Sequence, residues 1–317
     1  MRTFRFIPDI THIAFVRYRF AAYVFSGLLV LMSCLLLPTK GLNYGIDFRG
    51  GVLIEVGMPQ AADVAAMRAT LGALGLGDVA LQTFGDEQNV MIRIERQAGG
   101  EEAQHQAVAA VKQALAERFG QEIDYRRVES VGAKVSADLL RSGIEAAVFA
   151  LLAILAYVWF RFEWQFAIGA VIALIHDALT TVGLFTLFGL EFNLTTVAAL
   201  LTIVGYSIND TVVIYDRIRE NLRRFKTAPL GELIDRSINE TLARTVMTGL
   251  TTLLALLALL FFGGPTLRDF SVALIWGVLI GTYSTVYVAS PMVMHLKLRR
   301  EPADKIDEID VSVSEAG

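Results

Sequence analysis

Six apolar runs, each about as long as a membrane-spanning helix, constrain the fold of this 317-residue chain more than any other feature. A helix needs roughly 20 consecutive apolar residues to cross about 30 Å of hydrocarbon. The sequence therefore predicts a polytopic α-helical membrane protein. The first run follows four arginines, but it is long for a signal peptide and no cleavage pattern follows it, so we expect an uncleaved anchor. The six predicted transmembrane helices lie at 20–37, 139–160, 165–189, 194–215, 244–263 and 268–296.

Lysine and arginine concentrate in the connections on one side of the predicted membrane. They are frequent in the N-terminal segment 1–19, in the loop 216–243 and in the tail 297–317, whereas the short loops on the other side carry little positive charge. The positive-inside rule places both termini and the loop 216–243 in the cytoplasm, and it places the long segment 38–138 outside. The loop 216–243 is amphipathic, and we expect it to lie at the membrane surface.

The segment 38–138 has the pattern of a small α+β domain between the first and second transmembrane helices. Apolar runs predict strands in GVLIEV, VALQTF, NVMIRIE and IDYRRVESV, and two alanine-rich runs that end in glycine predict helices between them. The order β-α-β-β-α-β is that of the ferredoxin-like split βαβ fold. The segment has no metal-ligand spacing and no glycine-rich phosphate loop. The chain's one cysteine, Cys34, excludes a disulfide framework.

Asp210 is the first candidate for a functional residue, because it lies inside the fourth predicted span. A carboxylate in hydrocarbon costs a few kcal/mol or more and is rarely placed there without use. Arg244 is predicted at a similar depth on the fifth span, so the two side chains should pair. The pair is either a permanent structural ion pair or a protonatable switch. The switch is favoured, because Tyr206, Asn209 and Thr248 could hold or carry a proton beside it.

The third predicted span contains a second polar pair, His176 and Asp177. Adjacent residues project about 100° apart on a helix, so the two need not face the same neighbour. We expect at least one of them to face the interior of the helix bundle. His176 fits a satisfied buried histidine and a proton relay equally well, and Asp177 is a weaker candidate for the proton route than Asp210.

The sequence GIDFRGG connects the first span to the first strand of the domain. Gly50 and Gly51 suggest backbone with positive φ or a close backbone approach. On an extended chain, Asp47 and Arg49 point the same way and Phe48 points the other way. We expect a structural hinge or a domain-packing motif here.

Five stretches of this sequence closely resemble a known family, the SecD/SecF family of bacterial protein translocase subunits. The similarity is to its smaller members, which pair with SecD and belong to the resistance–nodulation–division superfamily. It covers almost the whole chain except the acidic tail from Glu301. The five stretches, in chain order, are GIDFRGG, HDALTTVGLF, VGYSINDTVVIYDRIREN, ARTVMTGLTT and FGGPTLRDFS.

This resemblance implies an accessory function in protein export. Family members form with SecD a complex driven by the proton motive force. The complex assists the SecYEG channel and SecA by pulling or holding the unfolded exported polypeptide on the outer side. The resemblance also implies a multi-pass protein in the lipid bilayer of the bacterial cytoplasmic (inner) membrane, with 38–138 in the periplasm. The intramembrane acid and arginine of the family fall on Asp210 and Arg244.

Two other functions compete with export assistance. One is half of a small-molecule or lipid exporter of the same superfamily, although such a pump should have a second large outer insertion where this chain has only LEFN. The other is a passive scaffold, which gives Asp210 no role beyond an ion pair. No covalent enzyme chemistry, cofactor, metal or nucleic acid is expected, because the sequence has no nucleophile–base constellation, Walker loop or zinc motif. The expected coupling ion is a proton, with sodium as the alternative.

Overall fold

The computed structural model describes residues 11–120, 122–264 and 267–296. The first ten residues of the predicted N-terminal segment and the predicted cytoplasmic tail 297–317 lie outside these residues. The strands are β1 (Asn43–Tyr44), β2 (Gly51–Gly57), β3 (Val79–Phe84), β4 (Asp86–Ile94), β5 (Asp124–Val131) and β6 (Glu191–Phe192). The helices are α1 (Arg19–Lys40), α2 (Ile46–Arg49), α3 (Val64–Gly72), α4 (Gly100–Phe119), α5 (Ala133–Arg161), α6 (Trp164–Phe188), α7 (Leu194–Arg224), α8 (Leu230–Phe262), α9 (Arg268–Ser284) and α10 (Ser290–Met292).

Six helical segments in the described residues are long and apolar enough to cross a membrane. They are α1, α5, α6, α7, α8 and the segment that begins with α9 and ends at Leu296. Local sequence fixes some of the helix ends. Asn193 caps α7 by accepting a hydrogen bond from the backbone N–H of Thr196 at 3.1 Å, and the Thr196 hydroxyl accepts one in return from the Asn193 N–H at 3.4 Å. This capping box satisfies donors that the first turn of a helix leaves free. The prediction of a polytopic helical membrane protein is confirmed.

The segment between α1 and α5 folds as a four-stranded sheet with two helices, in the order β-α-β-β-α-β. Its strand order is β3-β4-β2-β5, and all neighbours are antiparallel. The central strand β2 is buried along its whole length because both of its edges are paired and both of its faces are covered. Its apolar face packs with Met67, Leu71, Val111 and Leu115 into a closed core. Strand β4 begins at Asp86, so the predicted turn GDEQ contracts to Gly85.

The segment 216–243, predicted as an amphipathic loop, is mostly helical in the structure. Helix α7 continues to Arg224 and α8 begins at Leu230, which leaves only residues 225–229 as a connection. The apolar residues Leu233, Ile234 and Ile238 are buried in the core of the helix bundle. The amphipathic pattern therefore marks the part of α8 that packs on α7, since a hydrophobic stripe of this kind can cover a protein neighbour as well as a membrane.

Helices α7 and α9 pack at short range because glycines of α9 face α7. A Cβ on Gly281 would lie 3.2 Å from the Cβ of Ser207, and a Cβ on Gly277 would overlap the side chain of Ile203. Small residues let helix backbones approach closely in a membrane. The close approach brings the polar side chains of the two helices within hydrogen-bond distance of each other.

Candidate functional site

Asp177 lies at the centre of a buried hydrogen-bond network that joins three membrane helices. Its side chain, on α6, is completely buried. Its Oδ2 accepts hydrogen bonds from the Ser207 hydroxyl of α7 at 2.6 Å and from the Ser284 hydroxyl of α9 at 2.8 Å. Its Oδ1 lies 3.0 Å from Nδ1 of His176. Three hydrogen-bond partners compensate the burial of this carboxylate, and each helix contributes at least one polar group to the network.

His176 faces the same interior as Asp177 and is buried. With a proton on Nδ1, its ring donates to Asp177, and this assignment follows from the acceptor opposite it. The other ring nitrogen, Nε2, is buried without a hydrogen-bond partner in the described chain. The ring lies beside Tyr283, with 6.2 Å between ring centroids. The ring is thus held at Nδ1, and its Nε2 is open to a further hydrogen-bond partner.

The network continues beyond Ser284, the last residue of α9, into a π-helical turn that the sequence analysis missed. This turn, Thr285–Ala289, follows α9 directly. The hydroxyls of Thr285 and Thr211 lie 2.8 Å apart, which links α9 to α7 a second time. Pro291 has no N–H to donate and its ring crowds the carbonyl four residues earlier, which accounts for the widened turn. The signal that could have revealed it was TYST, four consecutive hydroxyl-bearing residues in a mostly apolar span.

Asp210 lies one helical turn beyond Ser207 on the same face of α7 and is nearly completely buried. Its Oδ2 has no hydrogen-bond partner in the described chain. The predicted contact with Arg244 is absent: no ion pair joins the two side chains in the described residues. The Arg244 charge acts on Asp210 only through space. The rotation of α8 explains this, since Thr245 is buried and Arg244 is exposed on the outer side of the helix.

The other predicted site residues fall around Asp210 in different ways. Tyr206 is half-buried, and its hydroxyl lies against α8 beside Gly249 and the side chains of Thr248 and Thr252. Asn209 is exposed. Thr248 donates its hydroxyl to backbone carbonyls of α8. The structure thus brings Tyr206 next to α8, whereas it assembles the closest polar contacts around Asp177.

The sequence GIDFRGG folds into a helical turn, so Asp47 and Arg49 do not lie on an extended chain. The turn is α2, and Gly50 follows it with φ of +73°. The Asp47 carboxylate accepts the backbone N–H of Leu194, the first residue of α7, at 2.9 Å. Phe48 packs on Phe192 of β6, with ring centroids 6.0 Å apart. The motif is therefore attached to the membrane helices at the start of α7.

A mostly buried ion pair joins the α/β domain to the helix bundle. Arg93 of β4 reaches Glu191 in the connection between α6 and α7, with 3.0 Å between Nη2 and Oε2. Arg93 also donates to the side-chain oxygen of Asn43 in β1 at 2.8 Å. The strands β1 and β6 that hold Asn43 and Glu191 pair in parallel. The backbone N–H of Glu191 donates to Asp269 at the start of α9 at 3.1 Å.

The environment of Glu191 opposes its charge. Burial raises the pKa of this carboxyl above its ordinary value, the nearby carboxylates Asp269 and Asp47 raise it further, and Arg93 counteracts part of the rise. Arg93 thus supports the ionised form of Glu191, and the pair links four elements: β4, β1, β6 and α9. The sequence analysis missed this pair, because its two residues are almost 100 positions apart and each looks like an ordinary surface charge.

No cluster of three or more His, Cys, Asp or Glu side chains capable of holding a metal ion occurs in residues 11–120, 122–264 and 267–296. The buried polar side chains that face one another around α7 are instead the imidazole of His176, the carboxylates of Asp177 and Asp210, and several hydroxyls. Hydroxyls and carboxylates pass or hold protons through short hydrogen bonds such as those at Asp177.

The chain matches two family models. The model described as "Protein export membrane protein SecD/SecF, C-terminal" matches residues 110–299. The model described as "SecD/SecF GG Motif" matches residues 35–58, which include the helical turn α2 and Gly50–Gly51. The two matched regions contain every candidate site residue named above except Arg93.

Similar proteins extend over nearly the full chain. The chain is 48% identical to the protein translocase subunit SecF of Cereibacter sphaeroides, over 92% of each chain, and 44% identical to that of Rickettsia rickettsii, over 91% of this chain and 93% of the relative. It is similar to the crystal structure of SecDF, a translocon-associated membrane protein, from Thermus thermophilus, with a TM-score of 0.84 and 36% identity over 92% of this chain. The chain spans 40% of that solved chain.

Proposed function

This chain belongs to the SecF family of protein translocase subunits, and on that premise we propose that proton flow through its membrane helices drives its work in protein export. It is a multi-pass protein of the inner membrane and an accessory subunit of the Sec protein-export machinery. The proposal includes a SecD-type partner subunit, cytoplasmic termini and an outer α/β domain of the ferredoxin-like type. It includes no covalent chemistry by this chain.

The observation that supports the proton step is the network around Asp177. Both serine hydroxyls donate to the same oxygen of the ionised carboxylate. When Oδ2 takes up a proton it becomes a donor itself, so one serine must turn away from it or accept. Helices α6, α7 and α9 then lose part of what holds them together. A proton at Asp177 therefore changes the packing of three helices rather than a single contact.

Asp210 and Arg244 are proposed to act one turn further along α7. Ser207 connects the two carboxylates, because it bonds Asp177 and shares a face with Asp210. An exposed arginine on a membrane helix requires a polar neighbour or another protein chain beside it. We therefore propose that the partner subunit covers the α7–α8 face that carries Asn209 and Arg244, and that Arg244 approaches Asp210 in the complex.

Movement of α7 would reach the outer domain through the two contacts at its start. One is the hydrogen bond from the Leu194 N–H to Asp47, and the other is the ion pair of Glu191 with Arg93. A shift of α7 against α6 and α9 moves these attachment points, since helices move as rigid elements. The domain, which we propose holds unfolded exported polypeptide, would then move with each cycle of protonation.

The test is gradient-stimulated protein export into inverted membrane vesicles that contain the full complex. Asp177→Asn keeps the size of the side chain and can still accept both serine hydroxyls, so the protein should fold and assemble. Export that depends on the proton gradient should fall at least tenfold, as expected for the loss of a proton-transfer group, and ATP-dependent initiation by SecA should persist. Asp78→Asn removes an exposed carboxylate of the domain that makes no side-chain hydrogen bond in the described structure and should leave export unchanged.

Two outcomes would contradict the proposal. Full gradient-stimulated export with Asp177→Asn would show that the network is only structural. Stimulation that requires a sodium gradient and is absent with a proton gradient in sodium-free buffer would identify sodium as the ion. Asp210→Asn, measured in parallel, distinguishes the roles of the two carboxylates. If gradient-stimulated export were lost with Asp210→Asn and kept with Asp177→Asn, the proton step would belong to Asp210.

A further inference from the structure

A groove lined by arginines lies at the end of the bundle opposite the α/β domain, and neither the proton step nor the outer domain uses it. It is a depression of about 630 Å³ between the end of α5 and the last turns of α7. Four arginines and two carboxylates line it, so positive charge is in excess. The lining residues are Arg161, Asp216, Arg219, Glu220, Arg223 and Arg224.

The two carboxylates are already engaged by other groups. Asp216 receives both of its contacts from Nη2 of Arg161, at 2.6 and 2.7 Å. Glu220 pairs with Arg217, outside the groove, at 2.5 Å. In the part of the chain that the structure describes, Arg223 and Arg224 have no acidic partner and both are exposed. Two guanidinium groups are thus left in an open groove with their hydrogen-bond donors free.

The depth of the groove matches the headgroup region of a bilayer. Arg219 lies 25 residues after the start of α7, and at 1.5 Å per residue that is about 37 Å, just beyond about 30 Å of hydrocarbon. The two residues that precede Arg161 in sequence are aromatic and face outward, with Trp159 63% and Phe160 89% exposed. Exposed aromatic side chains of this kind mark the boundary between hydrocarbon and headgroups.

We propose that this groove binds the phosphate group of an anionic phospholipid. Planar guanidinium groups bind phosphate oxygens with paired hydrogen bonds, and basic pockets at the ends of membrane helices suit lipid headgroups. The acyl chains would lie along the exposed aromatic residues at the end of α5. The lipid would bridge the end of α5 to the end of α7, and α7 is the helix that carries Ser207 and Asp210.

The test is native mass spectrometry of the delipidated, full-length complex, titrated with dioleoyl-phosphatidylglycerol or with dioleoyl-phosphatidylcholine. We expect the anionic lipid to bind the unaltered complex more tightly than the zwitterionic one. The double substitution Arg223→Gln and Arg224→Gln should weaken binding of the anionic lipid about tenfold or more, because a hydrogen bond to a charged group has roughly that effect on affinity. The control Arg68→Gln with Arg118→Gln removes the same charge from exposed positions of the outer domain and should change nothing.

Three results would overturn the proposal. The first is equal binding of phosphatidylglycerol to the groove variant and to the control variant. The second is displacement of the lipid by glycerol phosphate or inorganic phosphate at equal concentration, which would make the groove a site for a soluble phosphate. The third is lipid binding that appears only after removal of 301–317, which would show that the chain's own acidic tail occupies the groove. Matching thermal stability of the variants confirms that folding is unaffected.

Discussion

The ion pair between Arg93 and Glu191 gives a quantitative prediction, because its removal should be costly at neutral pH and nearly harmless in acid. The two side chains are 13% and 10% exposed, so neither is well solvated. In Arg93→Met, Glu191 keeps its burial and its acidic neighbours but loses the one group that favours its charge. Glu191 must then be neutral while the domain is docked, or the domain must undock so that water can solvate the Glu191 carboxylate.

The cost of the neutral form sets the size of the effect. Each unit between the pH and the ordinary carboxyl pKa of 4.5 costs about 1.4 kcal/mol. Holding Glu191 neutral therefore costs about 3.4 kcal/mol at pH 7 and less than about 1 kcal/mol at pH 5. We expect Arg93→Met to shift the docking equilibrium of the α/β domain roughly 300-fold toward the undocked state at pH 7. At pH 5 the shift should be about threefold.

In the unaltered protein, docking of the α/β domain also weakens as the pH rises, but by less than in Arg93→Met. The pKa of Glu191 is raised in the docked state, so the docked state binds more protons than the undocked state at pH values just above 4.5. Docking must therefore weaken as the pH rises from the undocked pKa of Glu191 to its docked pKa, and docking is independent of pH below this range. Arg93 lowers the docked pKa of Glu191, so it narrows this pH range. Arg93→Met should widen the same pH range.

The assay is a distance measurement between spin labels on cysteines placed at Arg118 in α4 and Phe262 at the end of α8, with Cys34 replaced by alanine. Arg93→Met should broaden the distance distribution at pH 7 and restore it at pH 5. Adding Glu191→Gln to Arg93→Met removes the titrating group, so this double variant should be docked at both pH values. An unchanged distribution at pH 7, or broadening in the double variant equal to that in Arg93→Met, would refute the reasoning.

Two further predictions concern strand β2 and the orientation of the protein in the membrane. Gly51→Ala should destabilise the domain by about 2 kcal/mol or more, because φ is +113° there and a Cβ would overlap the carbonyl of Ile94, whereas Gly120→Ala, at φ of +93° in open space, should cost about 1 kcal/mol. Hydrogen exchange of β2 and β4 would measure this, and equal effects would contradict it. Single cysteines at Glu87 and Lys226 should react with impermeant reagents from outside and from the cytoplasm, respectively. Labelling of Glu87 from the cytoplasm would reverse the proposed orientation.

The sequence predicted what depends on local pattern, and it missed what depends on helix rotation. Apolar run length was enough to predict six membrane helices, and alternation was enough for the strands from GVLIEV to IDYRRVESV. Whether Asp177 faces α7 and α9 depends on how three helices turn about their axes, and a run of apolar residues does not specify that rotation. The expected contact of Asp210 with Arg244 failed for the same reason. Equal depth in the membrane does not make two helix faces point at each other.

The geometry also changes which carboxylate is central to this subunit. Asp177 has its full set of partners within the chain, whereas Asp210 has a buried oxygen with none in the described residues. The hydrogen bonds of Asp177 fit only its ionised form, so protonation of Asp177 changes contacts within this chain. The buried oxygen of Asp210 lacks a hydrogen-bond partner in the described residues, so its contacts depend on the group that a neighbouring chain brings to it. Ser207 of α7 bonds Asp177 of α6 and lies one turn from Asp210 on α7, so α7 contacts the first carboxylate and carries the second, and the start of α7 holds the contacts with the outer domain. We therefore propose a division in which Asp177 sets the packing of α7 and Asp210 responds to the neighbouring subunit.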